Sequence, residues 1–314
     1  MHRPPDPALW TGREDAGEGP RALRWHQRVE PWRPGAAPGV ALAGFACDAG
    51  VARNGGRTGA AEGPAALRRG LGNLAWHRRG PAWDAGDVVC EEDGLEAAQA
   101  ELSALVARLL GEGQLPVALG GGHEVALGTF LGLAEHAARS PAAPRLAVLN
   151  VDAHLDLREA PRPTSGTPFR DVARECQRRG WTFRYLCLGV DEDANTGALL
   201  DGAGRLGAAW LTDRTLLERG AGWARDAVAA FLEGADAVHL SLDLDALQAG
   251  VAPGVSAPAA RGLPLHLVEA VVDAVVESGR LAAADVAELC PRLDPDGRTA
   301  RAAARLVARL AGRG

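Results

Sequence analysis

The chain contains no lysine, so arginine supplies all its permanently charged basic side chains. Alongside abundant alanine, glycine and proline, that absence reads as a compositional bias rather than a functional signal. It does leave any anion site to guanidinium groups. Cysteine is scarce and odd in number: Cys47, Cys90, Cys176, Cys187 and Cys290 are widely spaced, with no C-x-x-C pair. Several lie in apolar runs, which fits reduced, mostly buried thiols of a cytoplasmic protein. The opening stretch "MHRPPDPALWTGRED" lacks the apolar core of a signal peptide. No apolar run is long enough to cross a bilayer. Charge is nearly balanced, with 34 basic and 40 acidic residues and a formal net charge of -6. We therefore expect neither a nucleic-acid nor an anionic-membrane partner. Internal repeats, low-complexity tracts and convincing linkers are also absent.

What remains is a chain of 314 residues, 47% of them hydrophobic, which is ample for a large core. Residues 1–38 are rich in Pro, Arg, Gly and Trp and read as an irregular arm packed on the body. Residues 39–314 read as one α/β domain. Seven apolar segments predict strands: "GVALAGFA", "LPVALG", "RLAVLNV", "FRYLCLGV", "AAWLTD", "DAVHLSLDLD" and "LAAADVAEL". Helical patterns fall near 63–76, 95–110, 125–138, 169–179, 213–232, 264–277 and 298–310. Near-continuous apolar strands alternating with amphipathic helices indicate a parallel sheet covered on both faces. In such a sheet, ligands bind beyond the carboxyl ends of the strands. Four segments place chemistry there.

"LGGGHEVALG" puts His123 after a strand and three glycines. It has no G-K-[ST], so it is not a P-loop, and residue 127 is Leu, which excludes H-E-x-x-H. Alone, His123 is as good a helix cap or core residue as a ligand. "NVDAHLDLR" carries Asp152, His154 and Asp156 at alternate positions after a buried run. On an extended segment these share one face. Carboxylates that close repel unless a cation lies between them. The alternative, an exposed edge strand, sits poorly with "RLAVLNV". "HLSLDLDAL" repeats the device with Asp243 and Asp245. Four aspartates and two histidines are too many, and too rich in oxygen, for one tetrahedral zinc. They suit two neighbouring divalent ions, and manganese fits carboxylate with some imidazole. "DVAELCP" ends another strand with Glu288, ordinarily a solvated cap.

Together, "GGGHE", "NVDAHLDLR", "SLDLDAL…APGVSAPAARGL" and "DVAELCP" resemble, in order and spacing, the motifs of the ureohydrolase (arginase/agmatinase) family. Within it, "SGTPFRDVA" and "NGGRTGAAEGPAALR" are most similar to the formimidoylglutamase branch. The resemblance implies a three-layer α/β/α sandwich with a mainly parallel sheet, usually assembled as a trimer or hexamer. It implies two Mn²⁺ ions. One would be held by His123, Asp152, Asp156 and Asp243, the other by Asp152, His154, Asp243 and Asp245. It implies hydrolysis of an amidine-like C–N bond, with Asp156 carrying a proton and Glu288 receiving substrate N–H groups.

Substrate choice then turns on the far end of the cavity. Arg158 stands where the family contacts the substrate tail. A guanidinium there favours an acidic substrate such as N-formimidoyl-L-glutamate over agmatine or guanidinobutyrate. The alternative for Arg158 is an ion pair within the rim. Arg57, in "NGGRTGA", Asn195, in "DEDANTG", and Ser165 are further substrate-binding candidates. Ser165, in "TSGTPF", replaces the histidine that arginases and agmatinases carry there. Serine cannot shuttle protons near neutral pH as imidazole does, which argues against arginase-like chemistry. The competing readings are a urea-releasing relative, a one-zinc deacetylase using Tyr185, and a non-catalytic metal-binding protein on the same fold.

Overall fold

The computed structural model describes residues 1–19, 21–140 and 142–312. Ten strands form one sheet: β1 (His2–Arg3), β2 (Val29–Pro31), β3 (Val40–Ala46), β4 (Ala82–Val89), β5 (Leu115–Gly120), β6 (Leu146–Val151), β7 (Tyr185–Val190), β8 (Ala209–Thr212), β9 (Ala237–Asp243) and β10 (Leu281–Ala287). Their order is β1-β4-β3-β5-β10-β9-β6-β7-β8, with β2 also on β4. Of the pairings between these strands among the described residues, only β1–β4 is antiparallel. The helices are α1 (Ala49–Arg53), α2 (Gly63–Gly72), α3 (Leu95–Gly111), α4 (Val125–Ala137), α5 (Pro168–Arg179), α6 (Gly197–Arg205), α7 (Asp213–Leu232), α8 (Leu265–Glu277) and α9 (Arg298–Leu310).

Two helical layers sandwich the sheet. Leu67 and Leu71 of α2, Val228 of α7, Val271 of α8 and Val307 of α9 share a core with Leu42, Leu119 and Leu240. On the other face, α3 and α4 supply Leu102, Val106 and Phe130, and α5 supplies Phe169. The central strands are therefore apolar on both sides, as a buried parallel sheet requires. This is the expected three-layer α/β/α architecture.

Several local readings change. β4 was not among the expected strands, because Asp84, Gly86 and Asp87 interrupt its apolar pattern. The structure compensates that charge from α2. Arg68, only 1% exposed, reaches Asp84 through Nε at 2.9 Å and Nη2 at 2.8 Å, and Asp87 through Nη1 at 2.6 Å. The α2 helix stops at Gly72 rather than near residue 76. The strand "DAVHLSLDLD" ends at Asp243, so Asp245 lies on a 3-10 turn, Leu244–Ala246. The N-terminal arm is not wholly irregular, since β1 and β2 extend the edge of the sheet along β4.

Candidate active site

The strand order decides where the chemistry gathers. β5, β10, β9 and β6 are adjacent at the centre of the sheet. His123 follows β5, Glu288 follows β10, Asp243 ends β9, and Asp152 follows β6. Four segments distant in sequence thus converge at the carboxyl ends of parallel strands. The glycines before His123 allow this close approach: a Cβ at Gly121 would lie 1.9 Å from the carbonyl oxygen of Cys47.

"NVDAHLDLR" does not continue as an extended strand. β6 stops at Val151, the chain bends at 153–154, and Asp156 adopts φ 47°. The left-handed conformation, which Asp tolerates better than most residues, turns its carboxylate back toward His123. Convergence therefore comes from a folded loop rather than from strand alternation. Asn195 helps to hold that loop. Its Oδ1 accepts the Leu155 N–H at 3.0 Å, and its Nδ2 donates to the Ala153 carbonyl at 2.9 Å. It is absent from the cavity lining, so the expected substrate contact is replaced by loop support. Tyr185 is likewise turned away from the cavity. Its hydroxyl donates to the Leu155 carbonyl at 2.8 Å, which removes the donor a deacetylase would use.

Two ligand groups result. His123, Asp152, Asp156 and Asp243 form one, and Asp152, His154 and Asp245 form the other. The Nδ1 of His123 lies 3.2, 2.9 and 3.1 Å from carboxylate oxygens of Asp152, Asp156 and Asp243. The Nδ1 of His154 lies 2.9 Å from Asp245 and 3.5 Å from Asp152. Asp152 faces both groups, Oδ2 toward His123 and Oδ1 toward His154. Asp243 does not. Its Oδ2 joins the first group, while its Oδ1 accepts the Asp245 N–H at 2.8 Å. Asp243 thus enters the first group directly and meets the second through Asp245.

A divalent cation fits this donor set. Burial, then the charges of Asp245 and Asp152, push the Asp243 carboxyl well above its ordinary range. Burial and Asp152 likewise raise Asp156. The tautomer of His123 points the same way. Ser241 gives its hydroxyl proton to Asp285, so its Oγ accepts from His123 Nε2 at 2.9 Å. With Nε2 committed to Ser241, Nδ1 is the ring atom turned toward three carboxylates, with an aligned hydrogen bond to none of them. Against the lowering effect of burial, their nearness raises the imidazole pKa well above its ordinary value. The cluster therefore demands positive charge at this point, and a divalent cation between Nδ1 and the carboxylates supplies it while leaving the imidazole neutral as a ligand.

Ser241, Asp285 and His239 escaped sequence reasoning. Asp285 accepts from Ser241 and from His239 Nε2, all three fully buried. The signal was a lone acid inside the apolar run "LAAADVA", since a buried carboxylate demands partners. Replacing Ser241 by alanine should leave the fold intact and weaken divalent-metal affinity by about 10–100-fold. A Mn²⁺ titration followed by calorimetry checks this; an unchanged affinity would show that Ser241 does not orient His123.

Above the ligands lies a cavity of about 430 Å³. His123, His154, Asp156, Asp243, Asp245 and Glu288 line its floor, and Arg57, Arg158, Ser165, Asn54 and Ser256 its wall. Glu288, with φ 69°, accepts the His123 N–H at 2.9 Å. Burial, then the Glu124 carboxylate, pushes its pKa up to about 8. The Arg158 guanidinium, on this wall, has no ion-pair partner among the described residues. Arg57 is partly committed, donating to the carbonyls of Ser256 and Val255 at 2.8 and 2.9 Å. Ser165 accepts from Asn54 Nδ2 at 3.3 Å. Cys290 packs behind the cavity against the Thr58 carbonyl.

The arginase-family model matches residues 38–312. A formimidoylglutamase of Ralstonia nicotianae is 55% identical over 314 residues, covering 99% of this chain and 96% of that relative. The crystal structure of formimidoylglutamase from Bacillus subtilis superposes with a TM-score of 0.82 at 21% identity, covering 95% of each chain. That of Trypanosoma cruzi formiminoglutamase with Mn²⁺ gives 0.78 at 26% identity, covering 88% of this chain and 95% of its own.

Proposed function

We propose that this chain, which belongs to the arginase family, hydrolyses N-formimidoyl-L-glutamate to L-glutamate and formamide at a centre holding two Mn²⁺ ions. The observation that carries this reading is a floor of paired metal-ligand groups beneath a wall bearing Arg158, a guanidinium with no carboxylate of its own. The cavity thus offers hydrolytic machinery at one end and an unfilled demand for an anion at the other. The identity to a relative that is a formimidoylglutamase supports the same substrate.

His123, Asp152, Asp156 and Asp243 would hold one ion, and Asp152, His154 and Asp245 the other. Oxygen-rich donors with some imidazole suit Mn²⁺. When bound, the ions supply Lewis acidity that brings the pKa of water down toward ~7. Water adds to the formimidoyl carbon, the bond from that carbon to the glutamate nitrogen breaks, and that nitrogen takes up a proton. Asp156 lines the cavity within the first group and is the residue we assign to carry the proton. Glu288, held by the His123 N–H, receives the N–H groups of the amidinium; a raised carboxyl pKa falls once a cation binds beside it. Arg158, with Arg57 beside it, binds the two carboxylates of the substrate. Ser165 shapes the wall without a proton-transfer role. Residues 39–314 would act as one catalytic domain, with residues 1–38 as its arm. The family resemblance adds a cytoplasmic homo-oligomer, trimer or hexamer, which light scattering checks.

Arg158→Ala should raise KM for formimidoylglutamate and lower kcat/KM by roughly 10–100-fold, the loss of a charged hydrogen-bonded contact, with kcat changed far less. A fall in kcat alone would place Arg158 outside the substrate site. The reading as a whole is tested by supplying the Mn²⁺-loaded protein with formimidoylglutamate and, separately, with guanidino compounds. Formamide from the first and no urea from the second is the expected result. Urea release without turnover of formimidoylglutamate would overturn it.

A further inference from the structure

A second cavity, of about 260 Å³, lies between the segment after α2 and the helix α9. The segment following α2, the Trp25 turn and one face of α9, from Arg301 in its first turn to Gly312 beyond its end, enclose it. Both helices follow parallel strands and run back toward the strands' amino ends, so their last residues sit opposite the catalytic cavity.

Its charged lining has one sign. Arg78, Arg301, Arg305 and Arg309 face it, with His77 and Trp25 beside them and no acid among its lining residues. Arg301, Arg305 and Arg309 are spaced four apart and share one face of α9. Arg305 and Arg309 have counter-charges on α8: Arg305 pairs with Glu269, and Arg309 with Glu269 and Asp273. The other two have none among the described residues. Arg78 donates Nε to the Pro81 carbonyl at 3.2 Å, and Arg301 donates Nη1 to the Asp296 carbonyl. Burial pushes the Arg78 guanidinium below its ordinary pKa, and no neighbouring acid opposes that. A half-buried cation with spare N–H donors is costly unless an anion meets it.

We infer that this cavity binds a small multivalent oxyanion, a phosphate or a dicarboxylate, clasped between Arg78 of the loop and Arg301 of α9. Both chemistries present oxygens matched to planar guanidinium forks. The volume is below that of most drug-sized ligand sites, so a small anion fits and a polymer does not. Its binding ties the segment after α2 to α9, in a cavity that shares no lining residue with the catalytic one.

The test titrates the Mn²⁺-loaded protein separately with inorganic phosphate and with succinate at constant ionic strength, reading heat of binding and melting temperature. At least one anion should bind saturably at one site per chain and raise the melting temperature. Arg78→Gln and Arg301→Gln should each weaken that binding at least about tenfold and leave kcat/KM for the amidine unchanged. Arg301 is exposed, so its variant keeps the test valid should Arg78→Gln melt early. Absence of saturable binding by either anion, or binding undiminished in both variants, would overturn the assignment.

Discussion

Asp152→Asn should yield a folded protein that no longer retains two ions and hydrolyses formimidoylglutamate at least about a thousandfold more slowly, since residues of one catalytic unit fail together. The reason is geometric. Asp152 alone turns one oxygen to the His123 group and the other to the His154 group. Asparagine keeps the shape but loses the charge and one acceptor. Its effect should exceed the roughly 10–100-fold cost of removing a residue that merely orients a ligand. Elemental analysis after dialysis, beside the formamide assay, checks both halves. Mn²⁺ should also raise the melting temperature of the wild type and not of the variant, by ordinary linkage. A variant with two ions and full activity would break the ligand assignment.

The second large effect lies far from the chemistry. Arg68→Met should destabilise the fold by about 3–5 kcal/mol, the usual cost of stranding one member of a buried ion pair. Asp84 is 1% exposed and is held by Arg68, by the Trp10 indole at 2.7 Å and by the Gly86 N–H at 2.9 Å. Arg68 also gives Nη2 to the Gly86 carbonyl at 3.0 Å. The cluster joins α2, β4 and the N-terminal arm, and removing its cation leaves a buried carboxylate short of charge. Replacing Asp84 by Asn in the same protein should recover part of the loss. Urea unfolding of the single and double variants measures the coupling. A loss below about 1 kcal/mol, the scale of an exposed pair, would show that the cluster is solvated.

These two sites mark where the sequence was readable and where it was not. The metal motifs stood out because each ligand lies at or just beyond the end of an apolar strand, and because carboxylates crowded beside a core repel one another unless a cation joins them. β3, β5, β6, β7, β8, β9 and β10 were legible from predominantly apolar runs. β4 was not, because the charge compensating Asp84 and Asp87 arrives from Arg68 on α2, a pairing that local pattern cannot express. The bend at 153–154 and the left-handed Asp156 were hidden for a related reason. Spacing reports which residues lie close along the chain, not how a loop folds back. Asn195 looked like a substrate contact because it follows a strand, yet its amide turns to the backbone of 153–155. Ser241 and Asp285 align only through the register of β9 with β10, which pairs them side by side.

The most direct measurement is a titration of Mn²⁺ into chelator-treated protein, with bound metal and formamide release read on the same samples. A dinuclear formimidoylglutamase predicts that activity with formimidoylglutamate rises to its plateau as the bound metal reaches two ions per chain. A plateau at one ion per chain, or two bound ions with no formamide released, would contradict it.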